Sequence, residues 1–223
     1  MSDLFNNENS LDALEAPLAD RMRPQSLDEV IGQNHLLGEE GPLQNMLTSG
    51  IFSSIILWGP PGVGKTTIAR LLADHSNSHF EQLSAIFTGV GDLKKVFEAA
   101  KFRRTNGHKS IIFVDEIHRF NKSQQDSFLP FLEDGTIILI GATTENPSFE
   151  LNPAILSRVQ VLVLERLNNA DLKKLLERAE GVLGSKINLD LDAKIELLKV
   201  ADGDGRALLN LIENIISWEI SNP

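Results

Sequence analysis

The sequence predicts an α/β fold, with a parallel sheet covered by helices followed by a small all-helical domain. Three observations carry this. From Ile55 onward, short apolar runs alternate with helical stretches. The run Ile55-Ile56-Leu57-Trp58 feeds a glycine-rich turn and then a helix. Beyond Arg166 the helical pattern continues with no convincing strand. Strand–helix alternation requires crossover connections, which make neighbouring strands parallel and bury both faces of the sheet.

Met1 to Pro17 holds Asp3, Glu8, Asp12 and Glu15 with no basic residue, and is expected to be a flexible tail. Residues 18–166 are assigned to the α/β domain and 167–223 to the helical one. Strands are expected at Ile55–Trp58, His79–Leu83, Ile111–Val114, Ile137–Ile140 and Val159–Leu164. A helix follows the turn from Lys65 to Ala73. The next, Asp92–Phe102, places Leu93, Val96, Phe97 and Ala100 on one face. Ser123–Leu132 reads as one helix with Phe128, Phe131 and Leu132 inward. Ala170–Leu183, Leu191–Val200 and Arg206–Trp218 make up the helical part. A domain of that size has little core of its own, so the natural chain is expected to continue past Pro223.

Composition narrows the class. The chain is 42% hydrophobic and 23% charged, ordinary for a soluble protein. It has no cysteine, which excludes disulfides and thiolate–metal sites and fits a reducing compartment. No apolar run reaches membrane-spanning length and no cleavable leader opens the sequence, so the expected location is the cytoplasm, with no membrane partner. A net charge of −10 argues against a uniformly basic nucleic-acid binder, though not against a local basic face.

The segment Gly59-Pro60-Pro61-Gly62-Val63-Gly64-Lys65-Thr66 fits a phosphate-binding loop. Glycines let backbone N–H groups turn inward and approach phosphate oxygens, and the following helix presents its positive end to the anion. Lys65 would reach the terminal phosphates and Thr66 would offer a hydroxyl to Mg²⁺. The expected ATP-contacting set is Gly59, Pro60, Pro61, Gly62, Val63, Gly64, Lys65, Thr66 and Thr67. The competing reading is a chance glycine-rich turn, disfavoured by the strand before it and the helix after it.

Ile111-Ile112-Phe113-Val114-Asp115-Glu116 is an apolar strand ending in two carboxylates. Ligands of open α/β sheets bind beyond the carboxyl ends of strands. Asp115 is placed to hold a Mg²⁺-bound water, and Glu116 to orient and deprotonate an attacking water. The bland alternative is a charged turn capping a strand. A kinase has less need of the second carboxylate, so hydrolysis is favoured. His118 has no partner at metal-ligand spacing and reads as a packed or hydrogen-bonded loop residue.

Two more segments complete a family picture: Ile140-Gly141-Ala142-Thr143-Thr144-Glu145-Asn146, and Ala154-Ile155-Leu156-Ser157-Arg158 before the last strand. With Arg21-Met22-Arg23-Pro24 and Ile31-Gly32-Gln33 they resemble the clamp-loader branch of the AAA+ ATPases. The longer strings Phe120 to Asp126, Glu133 to Thr136 and Thr143 to Leu151 resemble the replication-associated recombination protein A family, related to the Werner helicase-interacting protein. This resemblance covers the chain from about Pro17 onward. It implies a P-loop AAA+ domain with a helical lid, and ATP bound between the two. It implies Thr144 as the sensor 1 residue, with Thr143 the neighbouring candidate. It further implies Arg158 as an arginine finger acting in trans, Arg206 as sensor 2, and Arg23 and Ile31 in the adenine pocket. The implied function is a DNA-stimulated ATPase maintaining replication forks and acting in recombination, cytoplasmic and nucleoid-associated. Forked or single-stranded DNA, single-stranded-DNA-binding protein and the sliding clamp are implied partners. The resemblance also implies homo-oligomers in the full-length protein, assembled through a C-terminal region expected past Pro223.

Two weaker signals bear on partners. Lys94, Lys95, Lys101, Arg103, Arg104, His108 and Lys109 concentrate basic charge that would bind phosphates without sequence preference, or simply solvate a helix face. Asp3-Leu4-Phe5 faintly resembles a clamp-binding peptide. A different functional class stays open: a nucleotide-gated DNA- or clamp-binding module with little turnover of its own.

Overall fold

A computed structural model describes residues 16–221; the tail and its Asp3-Leu4-Phe5 motif lie outside the described residues. The chain divides into two units. One comprises Gln33–Pro60 and Gly64–Glu165; the other comprises Met1–Gly32, Pro61–Val63 and Arg166–Pro223, as far as these are described.

The first unit holds a five-stranded sheet of order β2-β3-β4-β1-β5. The strands are β1 (Ile55–Trp58), β2 (His79–Ser84), β3 (Ser110–Asp115), β4 (Ile138–Thr143) and β5 (Gln160–Val163). Every pairing is parallel, as the alternation predicts. In β3, Ile111, Ile112, Phe113 and Val114 are fully buried, which explains an unbroken apolar run: both faces of the strand are covered. On the edge strand β5 only Leu162 is buried.

Helices of eight residues or more in this unit are α1 (Pro42–Ser49), α2 (Lys65–His75) and α3 (Val90–Thr105). The expected inner face of α3, formed by Leu93, Val96, Phe97 and Ala100, is buried. There Phe97 stacks on Phe131 at 4.3 Å between ring centres and meets Phe128 edge-on at 5.0 Å. The helix expected over Ser123–Leu132 is instead two short ones, Lys122–Asp126 and Leu129–Glu133. Pro130 is the reason: without an N–H it cannot continue the ladder, and it is tolerated only in a first helical turn. Phe128 is still in the core, and Phe131 and Leu132 pack against it. The sequence reading assigned no helix to Pro42–Ser49, where Pro42 at the first turn and Gly50 in the left-handed conformation mark both ends.

The second unit has no strand among its described residues; its helices are α4 (Asn169–Leu183), α5 (Leu191–Ala201), α6 (Gly205–Ser221) and the short helices Leu18–Arg21 and Leu27–Glu29. Side-chain oxygens of Asn168 and Asp190 cap α4 and α5 by accepting from Asp171 N and Ala193 N at 2.9 and 2.7 Å. Leu172, Leu176, Leu197, Leu208 and Ile212 form one core with Leu18 and Met22. Residues 18–32, placed with the α/β domain in the sequence reading, thus group with the helices. Their ties are specific: Leu18 N donates to Glu213 Oε1 at 2.9 Å, and Arg178 pairs with Glu29 at 2.8 Å. No helix among the described residues is long and apolar enough to cross a membrane.

Candidate nucleotide site

The phosphate loop starts where β1 ends. Gly59 N donates to Thr143 O at 3.1 Å, so the loop leaves the sheet beside the end of β4. Gly64, at φ +98°, precedes the first residue of α2 in a conformation that favours glycine, and a Cβ there would meet nothing within 4 Å. No side chain caps the first turn of α2. Open backbone at Gly64 beside an uncapped helix start is the geometry that phosphate oxygens require, so this part of the loop fits the triphosphate proposed for it. The ammonium of Lys65 is buried and donates to the carbonyls of Gly59 and Pro60 at 2.8 and 2.7 Å, which aims it across the mouth of the same loop. Thr66 and Thr67 follow, both half-buried.

The two carboxylates leave the same edge of the sheet. Asp115 ends β3, pairs with Ser84 at the end of β2, and accepts from Ala85 N at 3.1 Å through its backbone oxygen. Glu116 turns the chain with φ +54°, a left-handed conformation that costs a non-glycine residue about 1–3 kcal/mol and is found where a side chain must be aimed. Its Oε2 lies 3.4 Å from His118 Nε2, and His118 Nδ1 lies 2.9 Å from the hydroxyl of Thr143. The structure therefore gives His118 the hydrogen-bonded role expected for it and adds something the sequence did not indicate, a link between the ends of β3 and β4.

Thr143 is fully buried, and its hydroxyl also accepts from Glu145 N at 3.0 Å. It is committed to internal partners, whereas Thr144 is half-buried and shows no side-chain hydrogen bond among the described residues. Of the two sensor 1 candidates, Thr144 is the one with a hydroxyl left to act.

Arg158 sits elsewhere. It precedes β5, whose first residue Gln160 pairs with Ile55, the first residue of β1. The phosphate loop leaves β1 at its opposite end. Arg158 Nη2 pairs with Glu133 Oε1 at 2.5 Å, and Nη1 donates to Ala154 O at 2.8 Å and Ser157 Oγ at 2.9 Å.

Arg206, Arg23 and Ile31 belong to the helical unit. Arg206 is exposed in the first turn of α6, next to Gly205, whose N–H donates to Gly62 O at 3.2 Å. Gly62 itself has φ +68°, and a Cβ on it would lie 1.7 Å from Asp204 Oδ1. Asp204, which the sequence reading did not single out, also accepts from Ala207 N at 2.9 Å and so caps α6. Arg23 pairs with Asp20, and Ile31 is half-buried.

Among the described residues no cluster of three or more His, Asp or Glu side chains is arranged around one metal position. A hydroxyl and a carboxylate, as Thr66 and Asp115 offer, suit Mg²⁺, which keeps several waters and takes phosphate oxygens. In the basic concentration on α3, most of the charge is locally paired: Lys95 with Asp92, Lys101 with Glu98, Arg103 with Glu81, Arg104 with Asp134. A hydrogen bond from Thr136, aided by the charges of Arg104 and Lys101, holds the Asp134 carboxyl below its ordinary range.

The sequence matches the family described as "ATPase family associated with various cellular activities (AAA)" over residues 55–167. The chain belongs to the AAA family of ATPases. Within it, the chain is 50% identical over 209 residues to replication-associated recombination protein A of Coxiella burnetii, covering 92% of this chain and 47% of that one. It is 45% identical over 205 residues to ATPase WRNIP1 of Dictyostelium discoideum, covering 90% of this chain and 23% of that one. Both agree with the family resemblance read from the sequence. The chain spans about half the length of the replication-associated recombination proteins it matches. Among solved structures it is similar to the Thermotoga maritima RuvB Holliday junction branch migration motor, with TM-score 0.71 and 28% identity over 86% of this chain and 64% of that one. The family and the parallel five-stranded sheet together establish a nucleotide-binding α/β ATPase fold.

Proposed function

We propose that this chain hydrolyses ATP to ADP and phosphate as a DNA-stimulated ATPase working at replication forks and in recombination. One observation carries the hydrolytic part: β3, β4 and β1 are consecutive in the sheet, and their carboxyl ends carry Asp115-Glu116, Thr143-Thr144 and the phosphate loop. At about 4.8 Å between strands, the carboxylates stand roughly 10 Å from the start of the loop, with the sensor segment between them.

Each residue then has a task. The N–H groups of Gly62 to Thr66 and the Lys65 ammonium bind and orient the phosphates. Thr66 and Asp115 would hold Mg²⁺, which supplies charge neutralisation at the phosphate oxygens. Glu116 orients a water in line with the terminal phosphorus and takes its proton. Thr144 donates to a terminal phosphate oxygen. Arg206, on a helical lid formed by α4–α6, supplies positive charge, and Arg23 and Ile31 belong to the adenine-binding segment. Arg158, at the end of the strands opposite its own phosphate loop, serves the site of a neighbouring copy, so turnover is a property of an assembly. DNA and homo-oligomerisation are proposed on the strength of the family and the relatives' names, as is work at replication forks.

A second reading has an observation in its favour. With its finger candidate Arg158 at the end of the strands opposite its own phosphate loop, a single copy would bind ATP and act as a nucleotide-gated module. Steady-state ATP turnover across a wide range of protein concentration, with and without forked DNA and with Glu116→Gln as blank, separates the two. Specific activity that rises with concentration and DNA, and vanishes in the blank, supports the ATPase. ATP binding with blank-level turnover at every concentration supports the gated module.

A further inference from the structure

The proposed mechanism leaves the partly buried His118 at the site without a task. His118 has a side chain only 12% exposed, and both of its ring nitrogens face other side chains. A histidine kept for packing alone is ordinarily satisfied by backbone groups or water. Here Nε2 faces the Glu116 carboxylate and Nδ1 faces the Thr143 hydroxyl, so one ring spans the ends of β3 and β4. The chain of contacts has a consistent polarity. With the proton on Nε2, that N–H faces the Glu116 carboxylate across 3.4 Å, Nδ1 accepts from the Thr143 hydroxyl, whose proton has Glu145 O at 3.3 Å as a second acceptor, and the same hydroxyl accepts from Glu145 N at 3.0 Å.

We propose that His118 is the positioning residue of this site, holding the Glu116 carboxylate and coupling it to the Thr143–Glu145 segment that carries the sensor hydroxyl. The left-handed backbone of Glu116 fixes where its side chain starts, which leaves only side-chain rotations to be set. The contact that sets them is long, 3.4 Å, whereas the contact from His118 to Thr143 is 2.9 Å. The ring is therefore anchored firmly on β4 and loosely on the base, the arrangement of a holder whose grip follows β4. Thr144 lies between the hydroxyl of Thr143 and the N–H of Glu145 that this hydroxyl binds, so it cannot shift without disturbing His118's anchor. A change at the sensor thereby reaches the base without a change in the phosphate loop.

The inference rests on the reading that Glu116 activates water, and the test separates the two. The full 223-residue chain is assayed as Glu116→Gln, His118→Ala, Thr143→Val and the His118→Ala/Thr143→Val double variant, with folding checked by thermal melting. Each single variant at the relay is expected to lower kcat between about tenfold and 10²-fold, the scale of a misplaced catalytic group, while KM and the affinity for a fluorescent ATP analogue move less than about threefold. The double variant is expected to be no worse than the worse single one. If Glu116→Gln keeps its turnover, the reading of the base fails. If Glu116→Gln is inactive but the relay variants stay within about twofold of the parent, or their losses multiply, the coupling is overturned. A second measurement needs no turnover: the ¹⁵N ring signals of His118 are expected to shift both in Thr143→Val and in Glu116→Gln. Signals indifferent to both overturn the proposal.

Discussion

Arg158→Ala tests whether the finger acts between copies. Arg158 lies before β5 at the end of the strands opposite the phosphate loop, and β5 alone, from Gln160 to Val163, spans about 10 Å at roughly 3.3 Å per residue. Its side chain also points to Glu133, Ala154 O and Ser157 rather than along the strand. Its own Glu116 is therefore out of reach. Removing it costs the fold little, because an exposed ion pair such as that with Glu133 contributes roughly 0–1 kcal/mol. Removing an arginine finger, by contrast, costs on the order of 10³-fold in turnover, about 4 kcal/mol. The gap between these magnitudes makes the assay decisive: Arg158→Ala is expected to melt near the parent and to be almost inactive. Mixing is the sharper arm. An Arg158→Ala copy keeps a complete site but lacks a donor, and a Glu116→Gln copy donates a finger but has no base. In an equimolar mixture at high concentration, half the copies have a usable site and half of those meet a donor, so about a quarter of the parent activity should return across a head-to-tail interface. No recovery above the two variants measured separately, or full activity in Arg158→Ala alone, would refute the argument.

Gly62→Ala is expected to cost about 1–3 kcal/mol in denaturant unfolding, because φ +68° is unfavourable for alanine and the new Cβ would collide with Asp204. The same change should weaken ATP binding at least about tenfold in a fluorescence titration, since the loop can no longer turn its N–H groups inward. Gln33 is buried, donates to Glu165 O at 2.7 Å and accepts from Glu165 N at 3.0 Å; Gln33→Leu leaves both backbone groups unpaired and should lower stability by roughly 1–3 kcal/mol. Glu180 binds Lys194 Nζ at 2.9 Å and Ile187 N at 3.2 Å, and the hydrogen bond from Lys194 above all holds its carboxyl below the ordinary value of 4.5. A lowered carboxyl contributes stability above its unfolded value and loses it as pH falls through the folded one. The destabilisation caused by Glu180→Gln should therefore be full at neutral pH and shrink below pH 4.5, measured by urea melts across that range.

How much of this was legible in the sequence depends on the kind of signal each element leaves. The strands were legible because a parallel strand buried on both faces must be an apolar run, and Ile111–Val114 is one. The phosphate loop and the carboxylate pair were legible because their chemistry dictates residue type at fixed spacing. The break at Ser127-Phe128 was legible in principle, since Pro130 forbids the continuous helix that the apolar pattern alone implied. The grouping of residues 18–32 with α4–α6 was not, because it rests on pairs such as Leu18 N with Glu213 and Glu29 with Arg178, which are far apart in sequence. The His118–Thr143 contact was hidden for the same reason: twenty-five positions separate two residues that parallel strands bring side by side.

Strand order explains why that hidden contact stands where it does. Strand β4 lies between β1 and β3, so the strand that feeds the phosphate loop and the strand that carries the base each have β4 as a neighbour. Two contacts at the end of β4 use this. Gly59 N binds Thr143 O at 3.1 Å on one side, and His118 binds the Thr143 hydroxyl at 2.9 Å on the other. Thr143 is thus joined to the loop by its backbone and to the base by its side chain. A valine there would preserve the backbone bond to the loop and remove the hydroxyl's contacts with His118 and with Glu145. Thr143→Val is for that reason the most discriminating single substitution at the site: a loss of turnover with ATP binding intact assigns the hydroxyl to the coupling of base and sensor segment, whereas a loss of ATP binding shows that the hydroxyl also supports the loop.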